Sequence, residues 1–277
     1  MPELPEVETV RQGLVQLTQN QTIQGGEVLL KRTLAHPVSV AEFWAALSGR
    51  SFQGWQRRGK YLLAQLSGGG QLGVHLRMTG QLFWLARSHP LPIHTRIRLF
   101  CSADQELRFV DTRTFGRMWF VPPGVPTEQV ITGLQNLGPE PFAPEFTEDY
   151  LARRLRRTRR AIKTALLNQA LVAGLGNIYA DEVLFVSGIR PEHLAADLKP
   201  RQVKRLHQAI PAVLQAAIAR GGTTFSDFLS LLGVPGNYGD AAKVYGRRGE
   251  PCRVCGSAIE RIKLGGRSTH FCPRCQR

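Results

Sequence analysis

The chain has 277 residues and 43% of them are hydrophobic, enough for one large domain or two ordinary domains around a buried core. Its 36 Lys and Arg residues oppose 21 Asp and Glu residues, and the net charge of +15 predicts an anionic partner: nucleic acid, an acidic membrane face or an acidic protein. Because membrane-spanning runs, a signal-peptide pattern and a disulfide framework are all missing from the sequence, we expect a cytoplasmic protein that neither crosses a membrane nor is secreted.

The N-terminus carries an amine suited to nucleophilic chemistry. Removal of Met1 would make Pro2 the first residue. An α-amino group has a pKa of about 7.7–8.0, against about 10.4 for Lys, so a usable fraction is neutral at pH 7. The adduct of a secondary amine with a sugar aldehyde is a permanently positive iminium, which is a good electron sink. Glu3 and Glu6 lie within one turn and are candidates for proton transfer, although both carboxylates would raise the pKa of the amine.

The first half of the chain is predicted to be one helix followed by β structure. Val7, Val10, Leu14 and Leu17 recur at spacings of three and four residues, which indicates an amphipathic helix. From about residue 22 to residue 121, short β-rich runs are broken by Gly, Pro and Asp, which favours an antiparallel sandwich or barrel. The clearest runs are 61–66, 71–76, 96–101 and 107–110. Cys101, alone in such a run, is expected to be a buried, unreactive thiol.

The second half is predicted to be helical, with a short cysteine-rich tail. Pro and Gly clusters at 122–124 and 138–141 bracket a linker. Helical patterns follow at 148–156, 161–170, 177–187 and 199–220, and no internal repeat is present. We therefore predict an α+β multidomain chain with the order helix and β domain, linker, helical domain and metal-bound tail.

Four cysteines in the tail have the spacing of a zinc site. Cys252 and Cys255 form one C-x-x-C pair, Cys272 and Cys275 form another, and 16 residues (256–271) separate the pairs. This pattern is typical of four thiolates around one structural Zn²⁺. Two disulfides are the alternative, which a reducing compartment disfavours. A catalytic zinc is also disfavoured, since four thiolates leave no open position for water.

The segment between the cysteine pairs is predicted to be a basic β-hairpin. Two β-rich runs, 259–264 and 268–271, flank the turn-forming Gly265-Gly266. The hairpin would display Arg261, Lys263 and Arg267, and phosphate contact is the natural use of such a surface. A merely solvated basic face is the alternative for each residue taken singly.

Five stretches of the chain, followed by the cysteine tail, form a recognisable set: MPELPEVETV (1–10), VHLRMTG (74–80), DTRTFG (111–116), GLGNIYADE (174–182) and VYGR (244–247). They resemble the formamidopyrimidine-DNA glycosylases, the bacterial enzymes that remove 8-oxoguanine and ring-opened purines. They occur in the family's order across essentially the whole chain.

The resemblance implies a fold and a set of domains. The family has a leading helix with an antiparallel β-sandwich, then a helix–two-turns–helix domain, then a C-terminal β-hairpin zinc finger. Applied to this chain, the resemblance implies a catalytic domain at 1–130, a linker at 131–146, a DNA-binding domain at 147–240 and a zinc finger at 241–277. The implied partner is double-stranded DNA with an oxidised base, and a monomer associated with the nucleoid is expected.

The resemblance also implies catalytic residues. Pro2 would attack C1′ of the damaged nucleotide, with Glu3 supplying the proton that opens the sugar and Glu6 assisting. Lys60 would contact a phosphate of the lesion and aid β-elimination, and Arg267 would grip phosphates and act in δ-elimination. Without the family, Lys60 would be read as a solubilising residue at a strand edge.

Further residues are matched to DNA contacts. Met78, Arg113 and Phe115 correspond to the family's intercalating residues, which fill the space that a flipped base leaves. Asn177, at the start of a helix, would bind phosphate. The remaining predicted contacts are His75, His94, Arg159, Arg160, Lys163 and Tyr245. For Met78 and Phe115 the alternative is core packing, and for each histidine it is a structural role.

The sequence departs from the family at positions that bear on specificity. Asn168 stands where Asp is usual, Arg96 replaces a common His, and the segment from Thr223 to Tyr238, which includes the family's lesion-capping loop, has an altered composition. The ranking of lesions therefore stays open. The alternatives are an endonuclease VIII-like enzyme for oxidised pyrimidines, against which Leu4 argues, and a non-catalytic binder of damaged DNA.

Overall fold

The computed structural model describes residues 1–224 and 228–277, and they form two compact units. The first comprises Met1–Gln135 with Gly221–Asn237, and the second comprises Asn136–Arg220 with Tyr238–Arg277. Within the described residues, no helix combines the length and the hydropathy that crossing a bilayer requires.

The first unit is a β-sandwich with a leading helix, as predicted. In chain order its elements are α1 (Leu4–Thr18), β1 (Ile23–Val28), β2 (Leu34–His36), α2 (Val40–Leu47), β3 (Phe52–Arg58), β4 (Tyr61–Leu66), β5 (Gln71–His75), β6 (Gly80–Ala86), β7 (Thr95–Cys101), β8 (Gln105–Asp111), β9 (Arg117–Val121) and α3 (Thr127–Val130). One sheet has the strand order β1-β7-β8-β6 and the other has the order β2-β9-β5-β4-β3.

The core of this unit follows the hydrophobic patterns of its elements. In β7, the alternating residues Ile97, Leu99 and Cys101 are fully buried, which is the alternation of a strand with one face on a core. Helix α1 packs against β3 and β4 and buries Val7, Val10 and Leu14. Burial of each such side chain contributes about 1.5–3 kcal/mol, so the hydrophobic spacing of α1 fixes which helix face meets the sheet.

Two features of the sandwich differ from the sequence-based expectation. Helix α2 lies inside the region expected to be β, because Ser39 caps its start by accepting a hydrogen bond from the Glu42 N–H, and Phe43 and Leu47, four residues apart, are buried. In addition, β2 pairs with β9 in parallel, whereas all other ladders of the described sandwich are antiparallel.

Residues 221–224 and 228–237 belong to the same compact unit as the sandwich, whereas the sequence-based division placed them in the helical domain. Phe228 and Leu231 join the sandwich core. The Trp84 N–H also donates a hydrogen bond of 3.1 Å to the Leu231 carbonyl. Apolar burial and a backbone bond to β6 therefore decide where this segment lies, and neither is visible in the local sequence.

The second unit contains the predicted helices and the hairpin. Its elements are α4 (Glu148–Arg156), α5 (Ile162–Leu166), α6 (Asn177–Ser187), α7 (Pro200–Ile218), β10 (Glu260–Leu264) and β11 (Arg267–Phe271). Helix α5 is shorter than the predicted 161–170, since the Asn168 side chain accepts a hydrogen bond from the Ala170 N–H and so favours a turn over further helix. Gly265 and Gly266 both have positive φ, as a two-residue turn of the predicted hairpin requires.

Candidate active site and zinc centre

The start of α1 brings Pro2, Glu3 and Glu6 together in a buried cluster. Pro2 is buried, and both carboxylate side chains are only 1% exposed. Glu3 and Glu6 form a reciprocal capping box, in which the Glu3 N–H donates to Glu6 Oε2 at 2.8 Å. Two carboxylates at the positive end of a helix are electrostatically favourable. The predicted nucleophile therefore lies beside two carboxylates whose geometry the helix start fixes.

Glu6 also links the helix start to the segment after residue 220. Its Oε1 accepts a hydrogen bond of 2.8 Å from the Thr223 N–H. Gly222, at φ +77°, lies so close that a Cβ there would be 2.8 Å from the same oxygen. Both oxygens of Glu6 thus accept backbone hydrogen bonds, which supports a positioning role. Of the altered segment from Thr223 to Tyr238, Phe225, Ser226 and Asp227 lie outside the described residues.

Lys60, in the turn before β4, lies close to His75 at the end of β5. Lys60 is 8% exposed and follows Gly59 in the turn between β3 and β4, where Gly59 has φ +56°. The next residue, Tyr61, is the register partner of His75, and their rings meet edge to face at 4.4 Å. His75 Nδ1 accepts a hydrogen bond of 2.9 Å from the Arg77 N–H, so Nε2 carries the proton of the neutral ring. A neutral N–H donor suits a contact with phosphate.

The pKa of His75 predicts a pH dependence of stability. Burial, with the nearby Arg77 and Lys60 cations, lowers the pKa of His75 to about 3 from 6.5. The unfolded chain has the ordinary histidine pKa of about 6.5, so as the pH falls it takes up the imidazole proton before the folded chain does. The free energy of unfolding should therefore fall as the pH drops through 6.5, by about 2 kcal/mol between pH 7 and pH 5. Urea unfolding of the wild type and of His75→Asn, which keeps an acceptor but does not titrate, measures this effect. Equal pH dependence of both proteins would contradict it.

The residues matched to the intercalating trio lie on two loops and are exposed. Met78 is 36% exposed and Phe115 is 43% exposed, which argues against the core-packing alternative for both. Arg113 is exposed as well, and its guanidinium lies 5.2 Å from the centre of the Phe115 ring. Arg77 and Thr114 have positive φ, so each loop turns sharply beside the side chain that it presents.

Asp111 and Thr79, which sequence reasoning did not single out, tie these two loops together. Asp111 accepts hydrogen bonds from the Thr79 hydroxyl at 2.5 Å and from the Gly116 N–H at 2.7 Å. The Thr79 oxygen in turn accepts a hydrogen bond of 3.0 Å from the Arg113 N–H. Asp111 lies inside a recognised stretch, but only the fold shows that its partner is 32 residues away.

Asp111→Asn should therefore misplace the exposed trio. The amide replaces one acceptor with a donor, so one of the two hydrogen bonds is lost while the volume is kept. Because a shift of about 1 Å can cost on the order of 10²-fold in rate, we expect the base excision that the resemblance implies to slow by roughly 10- to 100-fold under single-turnover conditions. Thr79→Ser, which keeps the hydroxyl, is the matched control and should stay near the wild-type rate. A wild-type rate for Asp111→Asn would refute this positioning role.

His94 lies on an exposed loop beside Arg96, the residue that replaces a common His of the family. An Arg96 N–H lies 3.2 Å from His94 Nδ1, and Arg96 Nε donates at 2.7 Å to the Asp111 carbonyl. Arg96 therefore connects the His94 loop to the end of β8, a contact that depends on the residue by which this chain departs from the family.

In the second unit, α6 holds the basic hairpin through its polar residues. The Asn177 amide donates to the Ser268 carbonyl at 3.0 Å, and Asp181 accepts from the His270 N–H at 2.8 Å. Arg267 is exposed at the start of β11. The half-buried Asn177 and the buried Asp181 of α6 therefore fix the backbone from which Arg267 extends.

The structure corrects the prediction that Lys163 contacts DNA directly. Lys163 is 1% exposed, and its Nζ lies 2.7 Å from Asp181 Oδ1, 2.8 Å from the Ser268 carbonyl and 2.9 Å from the Thr269 hydroxyl. The ammonium donates hydrogen bonds to the two oxygens of β11 and forms an ion pair with Asp181, so it stabilises the hairpin backbone.

Glu182 stabilises the backbone of the loop that carries Tyr245. Its carboxylate accepts hydrogen bonds from the N–H groups of Lys243, Val244 and Tyr245 at 2.7, 2.9 and 2.9 Å. Burial raises the pKa of Glu182, while these three hydrogen bonds oppose the shift. Sequence reasoning missed Asp181 and Glu182, although two adjacent acidic residues in an otherwise apolar helix are a usable signal for buried partners.

The four cysteines fit one structural zinc ion. Their Sγ atoms all lie within 4.8 Å of one another. The Cys252–Cys275 and Cys255–Cys272 sulfurs are 3.9 and 3.5 Å apart, close to the edge of about 3.8 Å of a tetrahedron with Zn–S bonds of about 2.3 Å. A disulfide needs about 2.05 Å, so the alternative of two disulfides does not fit. The N–H of Val254 points to Cys252 Sγ at 3.5 Å, as expected around a thiolate.

Comparisons with known proteins cover the whole chain. Residues 1–118 match the formamidopyrimidine-DNA glycosylase N-terminal domain, residues 137–228 match the H2TH domain of the same glycosylases, and residues 249–277 match the zinc finger found in FPG and IleRS. The formamidopyrimidine-DNA glycosylase of Nostoc sp. (strain PCC 7120) is 61% identical over 100% of both chains. That of Synechococcus sp. (strain ATCC 27144) is 60% identical over 100% of this chain and 99% of its own length.

Solved structures are similar over the same length. The Lactococcus lactis Fpg in complex with DNA containing an abasic site is 38% identical, with a TM-score of 0.90 over 99% of both chains. The complex of the same enzyme with DNA containing Fapy-dG has a TM-score of 0.90 and 38% identity, over 99% of this chain and 100% of that one.

Proposed function

Because this chain belongs to the formamidopyrimidine-DNA glycosylase family, as its motifs predicted, we propose that it is a bifunctional enzyme of base-excision repair. It removes oxidised purines, namely 8-oxoguanine and formamidopyrimidines, from duplex DNA and then cleaves the abasic strand. The observation that carries this proposal is the buried cluster of Pro2, Glu3 and Glu6 at the start of α1. The protein acts as a monomer at the nucleoid of a bacterial-type cell, where its substrate is.

The proposed reaction begins at the Pro2 nitrogen. After removal of Met1, this amine attacks C1′ of the flipped nucleotide, the glycosidic bond breaks and the base leaves with its electron pair and a proton. Glu3 donates a proton to the ring oxygen of the sugar, which opens the ring and leaves an iminium between Pro2 and C1′. Glu6 holds the N–H of Glu3 and thereby keeps that carboxyl beside the amine.

Strand cleavage uses the iminium as the electron sink. Loss of a proton from C2′ expels the 3′ phosphate in β-elimination, and a second elimination releases the 5′ phosphate. Lys60 and Arg267 are the proposed cations for these leaving phosphates. Water then hydrolyses the iminium and regenerates the Pro2 amine.

The exposed trio and the zinc-held hairpin supply DNA binding in this proposal. Met78 and Phe115 fill the space of the extruded base, and Arg113 faces the orphaned base. The further phosphate contacts are assigned to His75, His94, Asn177, Tyr245, Arg159 and Arg160. The zinc ion, when bound, supplies structure and no open coordination position, so the cysteines hold the hairpin and take no part in proton or group transfer.

Borohydride trapping on a duplex with one 8-oxoguanine opposite cytosine tests the function, with an oxidised-pyrimidine duplex alongside. An adduct at Pro2, strongest on 8-oxoguanine, is expected. Preference for the pyrimidine would favour an endonuclease VIII-like enzyme, and tight binding without any adduct would favour a non-catalytic binder of damaged DNA.

A further inference from the structure

One acidic residue of the N-terminal motif has no part in the proposed reaction. Glu8 lies on α1, two residues after Glu6, and its side chain is 14% exposed. Its Oε1 accepts a hydrogen bond of 2.7 Å from Arg11, the i+3 neighbour on the same helix. Such pairs are common on helix surfaces and stabilise a helix only slightly, so this contact by itself gives Glu8 no function.

The second oxygen of Glu8 binds a residue of the neighbouring sheet. Arg57, near the end of β3, donates from Nε to Glu8 Oε2 at 3.0 Å, and its side chain is 9% exposed. The same guanidinium donates from Nη1 to the Gly59 carbonyl at 3.1 Å. Hydrogen bonds in which a group is ionised are shorter and stronger than neutral ones. One partly enclosed guanidinium therefore joins α1 to the turn between β3 and β4.

Both groups of this contact are charged at neutral pH. Burial would raise the pKa of Glu8, but the hydrogen bonds and the positive charges of Arg11 and Arg57 lower it overall. The carboxylate is therefore ionised, and a guanidinium does not lose its proton in proteins. The link between the helix and the turn is thus a permanent ion pair under the conditions in which the enzyme works.

The carbonyl that Arg57 binds belongs to the peptide that leads into Lys60. Arg58 and Tyr61 are register partners, so Gly59 and Lys60 are the two central residues of the hairpin turn. The hydrogen bond of such a turn joins its outer residues, which leaves the central peptide free to rotate unless another group holds it. Its orientation determines the φ angle of Lys60 and hence the direction in which that side chain leaves the backbone.

We propose that Glu8 and Arg57 are positioning residues for Lys60, which hold its turn in register with the helix that begins beside Pro2. The inference rests on the proposed function, in which the Pro2 amine and the Lys60 ammonium act on the same nucleotide. A helix keeps its residues at fixed spacing, so Glu8 is a rigid reference point for the groups at the helix start. A displacement of about 1 Å between groups that act together can cost on the order of 10²-fold in rate.

General attachment of α1 to the sheet does not require this link. The helix already buries Val7, Val10 and Leu14 in the sandwich core. Arg11 also donates a hydrogen bond of 3.3 Å to the Trp55 carbonyl of β3. Arg11 therefore shares with Arg57 the same carboxylate and the same strand, but it has no described contact with the turn. This difference makes Arg11 the matched control.

Arg57→Gln tests the positioning role through strand cleavage at a preformed abasic site. Single-turnover cleavage of an abasic duplex isolates the step in which Lys60 is proposed to act. We expect Arg57→Gln to be roughly 10- to 50-fold slower than the wild type and Arg11→Gln to stay within about twofold of it. Circular dichroism and thermal unfolding establish that each variant is folded at the assay temperature. If Arg57→Gln does not fold, Glu8→Gln, which keeps the volume and removes the charge, takes its place.

A double-mutant comparison separates positioning from a general loss of structure. In the Lys60→Ala background, Arg57→Gln should slow cleavage by less than about twofold, because the side chain that it positions is already gone. Equal losses of rate in both backgrounds would overturn the inference. So would a wild-type rate for Arg57→Gln, or an Arg11→Gln enzyme as slow as Arg57→Gln. Since borohydride trapping by the wild-type protein tests the proposed function separately, each of these results leaves that function standing.

Discussion

Adding two residues ahead of Pro2 is expected to abolish strand cleavage and the borohydride-trapped adduct while leaving binding to an abasic-analogue duplex nearly unchanged. An amide nitrogen has no available lone pair, so the extended chain cannot attack C1′. Loss of a covalent nucleophile commonly lowers the rate on the order of 10³-fold or more. The extension should not disturb the fold, because Met1 already precedes the buried Pro2 and is itself 42% exposed.

Pro2→Gly is the matched comparison. Made without the extension, this variant has a free N-terminal amine that is primary where that of Pro2 is secondary. It should therefore form some adduct and cleave more slowly than the wild type. Trapping and cleavage are measured on the same 8-oxoguanine duplex, and binding is followed by fluorescence anisotropy. Normal cleavage by the extended chain would show that another group is the nucleophile, and the buried Lys60 would become the first candidate.

Cys255→Ser/Cys275→Ser is expected to release the zinc ion, unfold the hairpin and remove most of the lesion-dependent affinity. Structural zinc contributes on the order of 10 kcal/mol in small zinc domains, and a two-stranded hairpin is marginal without support. The hairpin carries Arg267, and its backbone is what Lys163 and Asn177 hold. When that backbone unfolds, the buried Lys163 and the half-buried Asn177 lose the acceptors that it provides.

Metal content by mass spectrometry, hydrogen exchange of residues 260–271 and duplex binding together measure this effect. Cys101→Ala is the matched control, since it removes a buried thiol of the first unit and should keep both zinc and binding. Native protection of the hairpin amides in a zinc-free protein would contradict the structural role of the metal. Helices α4 and α7 should keep their protection in the double variant, because α7 packs on α4 and α6 independently of the cysteines.

Several features of this protein were predictable because they depend on neighbours along the chain. The spacing of Val7, Val10 and Leu14 predicted α1, and Gly265-Gly266 predicted the hairpin turn. The two C-x-x-C pairs predicted the zinc site, since each pair places two sulfurs within one tight turn. The family itself followed from linear motifs, and the comparisons confirmed it.

The burial and the partners of individual side chains were decided only by the tertiary structure. Lys163 was predicted at a DNA surface but lies in the interior, because its acceptors on β11 are 105 and 106 residues away. Glu182 meets the Tyr245 loop across 63 residues, and Glu6 meets Thr223 across 217. No local pattern encodes such pairs.

The sequence by itself therefore determined most of the elements, the metal ligands and the family, all of which follow from short-range spacing. The tertiary structure decided which charged residues are buried supports and which are exposed. Apolar burial brings distant segments together, and a charge that is enclosed in this way must find a partner, whereas one left outside does not. On this ground Lys163 and Glu182 hold the backbone, while Arg157 and Arg159 are exposed at the surface.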